Sequence, residues 1–200
     1  MPHIKWLGII KDDLGRYQKG NLPDGAIKVD MPDDMNVLMV KSIPFQVIGI
    51  VIITVSVYIK VMLNEQFPFE LFFTVIGFAL GFLALILHEI LHAIVFPKEA
   101  TVYVGIYPKC FAAVALSAYP LRRSRFIAMS LLPMILGVIP ITLFLVLPDE
   151  MKTINGLMLG MSMIGLTSPS VDLYNVYKVL METPKGSTLQ FNGDELYFYK

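Results

Sequence analysis

Four long apolar runs, separated by polar or proline-containing segments, dominate the hydrophobic pattern of this 200-residue chain. A helix needs about 20 apolar residues to cross a bilayer. The runs predict spans at residues 43–63, 69–96, 126–147 and 153–182, with a break at 167–170 in the last one. We therefore predict an all-α membrane protein with about four transmembrane helices, which form a membrane-embedded domain over residues 41–182.

The segments outside the spans are polar and rich in turns. Residues 1–40 predict an N-terminal arm with a short strand near 26–29, and residues 183–200 predict a tail whose 195–199 stretch has strand character. After the second span, Thr101–Tyr107 is β-branched and aromatic, and a second apolar run covers 111–119. This pattern predicts a small β-hairpin or a re-entrant loop. A short amphipathic surface segment is the alternative.

The types of several residues inside the predicted spans predict local features of the helices. Pro133 and Pro140 interrupt the third span and predict kinks. Lys60, near the end of the first span, is expected to extend its ammonium group toward the interface. Three glycines in the fourth span are expected to allow close helix contact, namely Gly156, Gly160 and Gly165.

The distribution of positive charge predicts the orientation of the chain. Of the 16 Lys and Arg residues, 14 fall in or next to the N-terminal arm, the 97–125 loop and the tail, counting Lys41 before the first span and Lys178 near the end of the fourth, and four spans would place these on one side. Because positive residues concentrate in the cytoplasm, we predict a multi-pass cell-membrane protein with both termini cytoplasmic. The formal net charge of zero gives no indication of nucleic-acid binding. The single Cys110 excludes an intrachain disulfide and a cysteine-based zinc site.

The second span contains the sequence His88-Glu89-Ile90-Leu91-His92, and the chain has only three histidines in all. Residues four apart share one helix face, so His88 and His92 can bind one ion. Glu89 is the candidate catalytic residue, placed to take a proton from a metal-bound water. Three ionisable residues in one turn of a membrane helix are costly unless they are paired, bind metal or face a wet cavity. A purely structural pair of histidines is the alternative.

A catalytic zinc ion usually has three protein ligands, so a third must come from elsewhere in the chain. Asp172 is the best candidate, because it follows the Ser-Pro-Ser break that could direct it into the helix bundle. Its alternative role is to stabilise a helix N-terminus. Asn175 lies one turn further and could hydrogen-bond a substrate backbone or the metal-bound water, or simply pack as a polar residue in the bundle.

These features together resemble a known family. His88 to His92, the hairpin-like loop and Asp172-Leu173-Tyr174-Asn175 look like the integral-membrane zincin peptidases, a family defined by a domain of unknown function. That family is in turn similar to the site-2 protease clan of intramembrane zinc metalloproteases. The resemblance covers residues 20–200 and implies Zn²⁺ as the cofactor. In site-2 proteases a glycine commonly follows the ligand aspartate, whereas here Leu173 follows Asp172.

We therefore predict a zinc-dependent intramembrane metallopeptidase that cleaves a transmembrane or membrane-associated protein substrate. The alternative is a catalytically inactive metal-binding scaffold that binds membrane partners. His₂-carboxylate ligation would also suit iron. A divalent-cation transporter would need several acids along a path, and the interior of the predicted spans offers only Glu89 and Asp172. The sequence does not indicate an oligomeric state.

Overall fold

The computed structural model describes residues 1–11, 13–32, 34–63, 67–110 and 112–200. The chain divides into two compact units. The sheet unit comprises Met1–Lys41, His88–Leu132 and Val171–Lys200, and the helical unit comprises Ser42–Leu87 and Pro133–Ser170.

The described chain is mostly helical. The six α-helices are α1 (Met35–Met62), α2 (Leu71–Ile94), α3 (Arg123–Leu131), α4 (Ile135–Val146), α5 (Lys152–Thr167) and α6 (Ser170–Glu182). A 3₁₀ turn at Leu132–Met134 joins α3 to α4, because Pro133 cannot donate a helical hydrogen bond. The predicted third span is therefore interrupted at Pro133, whereas α4 continues through Pro140 as one helix.

In the described part of the chain, three helices are long and apolar enough to cross a membrane. They are Met35–Met62, Leu71–Ile94 and the combined α3–α4 segment Arg123–Val146. The predicted fourth span is divided into α5, of 16 residues, and α6, of 13 residues. The divide falls at Ser168 and Pro169, inside the predicted break.

The first helix starts eight residues before the predicted span. The Asp34 carboxylate accepts hydrogen bonds from the backbone N–H groups of Asn36 (2.8 Å) and Val37 (3.0 Å), which caps the helix. Its buried positions are mostly small or polar, namely Ser42, Gly49, Ile53, Ser56 and Lys60, whereas many of its large apolar side chains are exposed. Small residues inside and apolar residues outside are typical of a helix packed in lipid.

Within the helical unit, the glycines of α5 allow the backbones of neighbouring helices to approach closely, as predicted. A Cβ atom at Gly160 would lie 2.1 Å from the Thr74 carbonyl oxygen of α2. A Cβ at Gly156 would lie 2.7 Å from the Glu70 carbonyl oxygen, and one at Gly165 would lie 2.4 Å from the Leu136 carbonyl oxygen of α4. No side chain larger than hydrogen fits at these contacts, so α5 packs tightly against both α2 and α4.

Lys60 is buried inside the helical unit, so the prediction that it reaches the interface is wrong. Its ammonium group donates hydrogen bonds to the carbonyl oxygens of Phe144 and Leu147, the latter at 2.9 Å, and to Asn155 Oδ1 at 3.1 Å. The last carbonyls of a helix have no partners within it and carry partial negative charge. A cation at the end of α4 satisfies them, which explains the inward direction of Lys60.

Among its described residues, the sheet unit has seven strands: β1 (His3–Ile9), β2 (Ile27–Lys28), β3 (Thr101–Tyr107), β4 (Ala112–Leu116), β5 (Leu121–Arg122), β6 (Thr188–Asn192) and β7 (Glu195–Tyr199). The first sheet has the order β1-β3-β4, with β1 parallel to β3 and β4 antiparallel to it. The second has the order β2-β7-β6-β5, with each neighbouring pair antiparallel.

The predicted hairpin after α2 is therefore confirmed as β3 and β4, and the predicted strands of the arm and the tail are confirmed as β2 and β7. The β content exceeds what the sequence predicted, because β1, β5 and β6 were not predicted. The main apolar core of the sheet unit includes Ala93 and Phe96 after the histidine motif, Val102 and Val104 of β3, and Val179 of α6. This core connects the end of α2, the first sheet and α6 within one unit.

Candidate metal centre

His88 and His92 lie one turn apart on α2 and face the same way. Their side chains are buried, with 6% and 7% of each residue exposed. The two Nε2 atoms are 3.1 Å apart, and the rings meet nearly edge to face at 78° with centroids 4.7 Å apart. The helical spacing of the motif thus brings two imidazole nitrogens to one point, as predicted.

Asp172 lies in the first turn of α6, 80 residues after His92 in the sequence, and its carboxylate joins the two histidines. Its Oδ2 is 3.1 Å from His88 Nε2, and its Oδ1 is 3.3 Å from His92 Nε2. The break between α5 and α6 comes immediately before it, at Ser168 and the fully buried Pro169. The structure therefore brings together the three residues that the sequence proposed as metal ligands.

The orientation of the His92 ring is set by a backbone carbonyl that the sequence analysis missed. His92 Nδ1 lies 2.9 Å from the carbonyl oxygen of Met129, in α3. A carbonyl oxygen can only accept, so Nδ1 carries the hydrogen and donates it. The neutral imidazole then has its lone pair on Nε2, the atom that faces His88 and Asp172. A partner of this kind is typical of histidines that bind metal.

The arrangement of the three side chains fits a bound cation. The lone pair of His92 Nε2 faces the Asp172 carboxylate, which is also an acceptor, and two acceptors this close require a proton or a metal ion between them. Donor atoms bound at 2.0–2.1 Å by a tetrahedral zinc ion lie about 3.3–3.4 Å apart. The two Nε2 atoms are 3.1 Å apart, Asp172 Oδ2 is 3.1 Å from His88 Nε2, and Asp172 Oδ1 is 3.3 Å from His92 Nε2. Two imidazoles and a carboxylate are also a donor set that zinc accepts.

Glu89 lies beside this cluster and not within it. Its Oε1 is 3.9 Å from His88 Nε2, and the backbone N–H of Ala115, in β4, interacts with its carboxylate. Only 12% of its side chain is exposed. The Ala115 contact was not predicted, because nearly every residue has a backbone N–H and residue type does not show which one makes a contact.

Asn175 lies one turn after Asp172 on α6. Its Oδ1 is buried and has no hydrogen-bond partner among the described residues. A buried acceptor without a donor is costly, so a polar group outside the described residues is the expected partner. The position is consistent with the substrate-binding or water-binding role predicted for Asn175, and that role stays a prediction.

The described helices include some of membrane-spanning length and apolarity, as in an α-helical membrane protein, and His88, His92 and Asp172 form a group that could hold a metal ion, with Glu89 beside it. A family model described as "Putative zincin peptidase" matches residues 81–188, which is more than half of the chain and includes every candidate site residue. The chain belongs to this family. The family description implies a zinc peptidase, a hydrolase that uses zinc as its cofactor. No curated protein and no solved structure matches the chain.

Proposed function

We propose that this protein is a zinc-dependent intramembrane metallopeptidase related to the site-2 protease clan, and that it cleaves membrane-associated protein substrates. The observation that carries the proposal is that Asp172 of α6 meets His88 and His92, which lie with Glu89 on a helix apolar enough to cross a membrane. Metal-binding and catalytic residues of a peptidase in this setting would act on peptide bonds that lie in or close to the bilayer.

Each residue of the centre has a distinct proposed role. His88, His92 and Asp172 would hold the ion, with the Met129 carbonyl keeping His92 Nε2 free to bind. A zinc ion in this position would act as a Lewis acid and lower the pKa of a bound water to about 7. Glu89 would take the proton of the attacking water and pass it to the leaving amine. Asn175 Oδ1 would accept a hydrogen bond from the substrate backbone or from the water.

The edge strand β4 is the proposed docking site for the scissile segment. Strand β3 has β1 on one side and β4 on the other, so β4 lies at an edge of this sheet. In an antiparallel pair, alternate residues direct their backbone groups away from the partner strand. Ala115 directs its N–H to Glu89, so Ala113, two residues earlier, has the same outward register. A substrate strand added here would run past the catalytic carboxylate.

The membrane arrangement is also part of the proposal. Four crossings, with α5 and α6 forming the fourth, would place both termini and the 97–125 loop in the cytoplasm and the centre near the cytoplasmic leaflet. The excess of Lys and Arg on that side supports this arrangement.

The mechanism is tested by Glu89→Gln, which removes the base and leaves the three proposed metal ligands in place. Membranes from cells that express the wild type should show new protein N-termini within or next to apolar segments, detected by mass spectrometry of labelled N-termini. We expect the variant to lose these cleavages by at least about 100-fold, the lower range for general acid–base catalysis. Its zinc content should equal that of the wild type.

Glu70→Gln is the matched control, since Glu70 is an exposed acid immediately before α2. It should retain full cleavage. If the wild type and Glu89→Gln give the same N-termini while both bind zinc, the protein is an inactive metal-binding scaffold. If the wild type binds no zinc, the metal centre itself is wrong.

A further inference from the structure

The carbonyl oxygen that holds His92 is available because of a proline. Met129 lies four residues before Pro133, and in a regular helix the N–H of residue 133 would donate to the carbonyl of residue 129. Proline has no N–H, so it cannot make this bond. The preceding bond is intact, since the N–H of Leu132 donates to the carbonyl of Ala128.

The freed carbonyl is used one helix away. His92 Nδ1–H donates to Met129 O at 2.9 Å, and His92 Nε2 then faces His88 and Asp172. The helix also changes to a 3₁₀ turn at Leu132–Met134, next to the freed carbonyl. A proline in this span does not by itself change the helix to a 3₁₀ turn, because α4 continues through Pro140 as one helix.

We infer that Pro133 is a positioning residue for the metal centre: by withholding a backbone N–H, it reserves the Met129 carbonyl for His92 and so fixes which ring nitrogen binds the ion. This inference rests on the proposed metal site. It assigns to Pro133 a role beyond the kink that its residue type predicts. The effect passes through the backbone, so the proline does not touch the ion or the substrate.

The test is Pro133→Ala, which gives residue 133 an N–H that competes for the Met129 carbonyl. Loss of an outer hydrogen-bond partner of a metal-binding histidine typically weakens metal binding by about 10- to 100-fold. We expect zinc affinity, measured by competition with a chelator in detergent, to fall within that range. The helix gains a regular hydrogen bond, so thermal stability of the metal-free protein should not fall.

A second readout reports on the ring itself. The chain has three histidines, so protein labelled with ¹⁵N-histidine gives few imidazole signals. In the wild type, His92 should show a proton on Nδ1 that is protected from solvent exchange. In Pro133→Ala this signal should exchange faster or shift toward the other tautomer. A proline that matters only for helix shape would not change it.

Pro140→Ala is the matched control, because Pro140 is also buried and also lies in the third candidate span. It should bind zinc as the wild type does. Equal zinc affinity in wild type and Pro133→Ala, or an equal loss in Pro140→Ala, would overturn the inference. Lack of zinc binding in the wild type would instead refute the proposed function, so the two failures are distinguishable.

Discussion

At the residue scale, the centre combines side chains that would be unfavourable if buried alone. His88, His92 and Asp172 place two imidazole nitrogens and two carboxylate oxygens within a few ångströms, with little exposure to solvent. Burial of a carboxylate is costly unless it is paired or bound to a cation. A shared metal ion would satisfy all three residues at once, which explains why an apolar segment retains them.

Asp172→Ala tests the third ligand directly. Because it removes a donor atom from the ion and not only an outer partner, we expect zinc affinity to fall by more than about 100-fold, the upper range for outer-partner loss. Metal content of the purified protein, by mass spectrometry after dialysis against a chelator, measures this. Asp24→Ala, at an exposed acid in a loop, should retain zinc. Unchanged zinc in Asp172→Ala would remove Asp172 from the centre.

The parts of the site that the sequence could predict are those with local spacing. His88, Glu89 and His92 fall in one helical turn, so their proximity follows from helix geometry alone. Asp172 was chosen by elimination among acids, and only the fold brings it to the histidines. The Met129 carbonyl and the Ala115 N–H could not be read from side-chain identity. The one available signal was Pro133, four residues after Met129.

At the element scale, the packing of α2 against α5 depends on the absence of side chains. Gly77 and Gly160 lie at this contact: a Cβ at Gly77 would be 2.2 Å from the Leu157 carbonyl oxygen, and one at Gly160 would be 2.1 Å from that of Thr74. A side chain can relieve such a clash by changing its rotamer, whereas the backbone of a helix cannot. The contact holds the N-terminal part of α2 within the helical unit. The histidines follow further along the same helix.

Gly160→Ala is therefore expected to destabilise the helical unit by about 1–3 kcal/mol, the usual cost of overpacking, even though alanine favours helix formation. Unfolding in mixed detergent, followed by circular dichroism, measures the change. Gly81→Ala is the comparison, since its new Cβ would meet the Ile164 side chain at 2.9 Å and no backbone atom closer than 3.4 Å. We expect a smaller loss there. Equal stability of Gly160→Ala and wild type would contradict the close packing.

Elements whose partners are distant in sequence were the hardest to predict. The hairpin β3–β4 is local, and its β-branched residues identified it. Strand β1 pairs in parallel with β3, with His3 opposite Thr101, across almost half of the chain. Its own sequence has mixed polarity, and five of its seven residues, His3 to Trp6 and Ile9, are exposed. Nothing within residues 1–40 signals a partner that lies beyond two helices.

At the scale of the whole molecule, the number of crossings determines which segments share a compartment. The segments α1, α2 and α3–α4 each meet the length and apolarity of a span, whereas α5 has 16 residues and α6 follows after a break. If α5 and α6 together make a fourth crossing, the N-terminal arm and the tail lie on the same side. If they do not cross, the tail lies opposite the arm. The first arrangement places residues 150 and 185 on opposite sides of the membrane, and the second places them on the same side.

Single cysteines in a Cys110→Ser background distinguish these arrangements. Lys11→Cys, Glu150→Cys and Lys185→Cys replace exposed residues before α1, between α4 and α5, and after α6. Four crossings with cytoplasmic termini predict that an impermeant maleimide labels only position 150 in intact cells, and labels 11 and 185 after permeabilisation. Labelling of both 150 and 185 in intact cells would mean three crossings. Labelling of 11 and 185 without 150 would invert the topology and, with it, the side from which substrates reach His88 and His92.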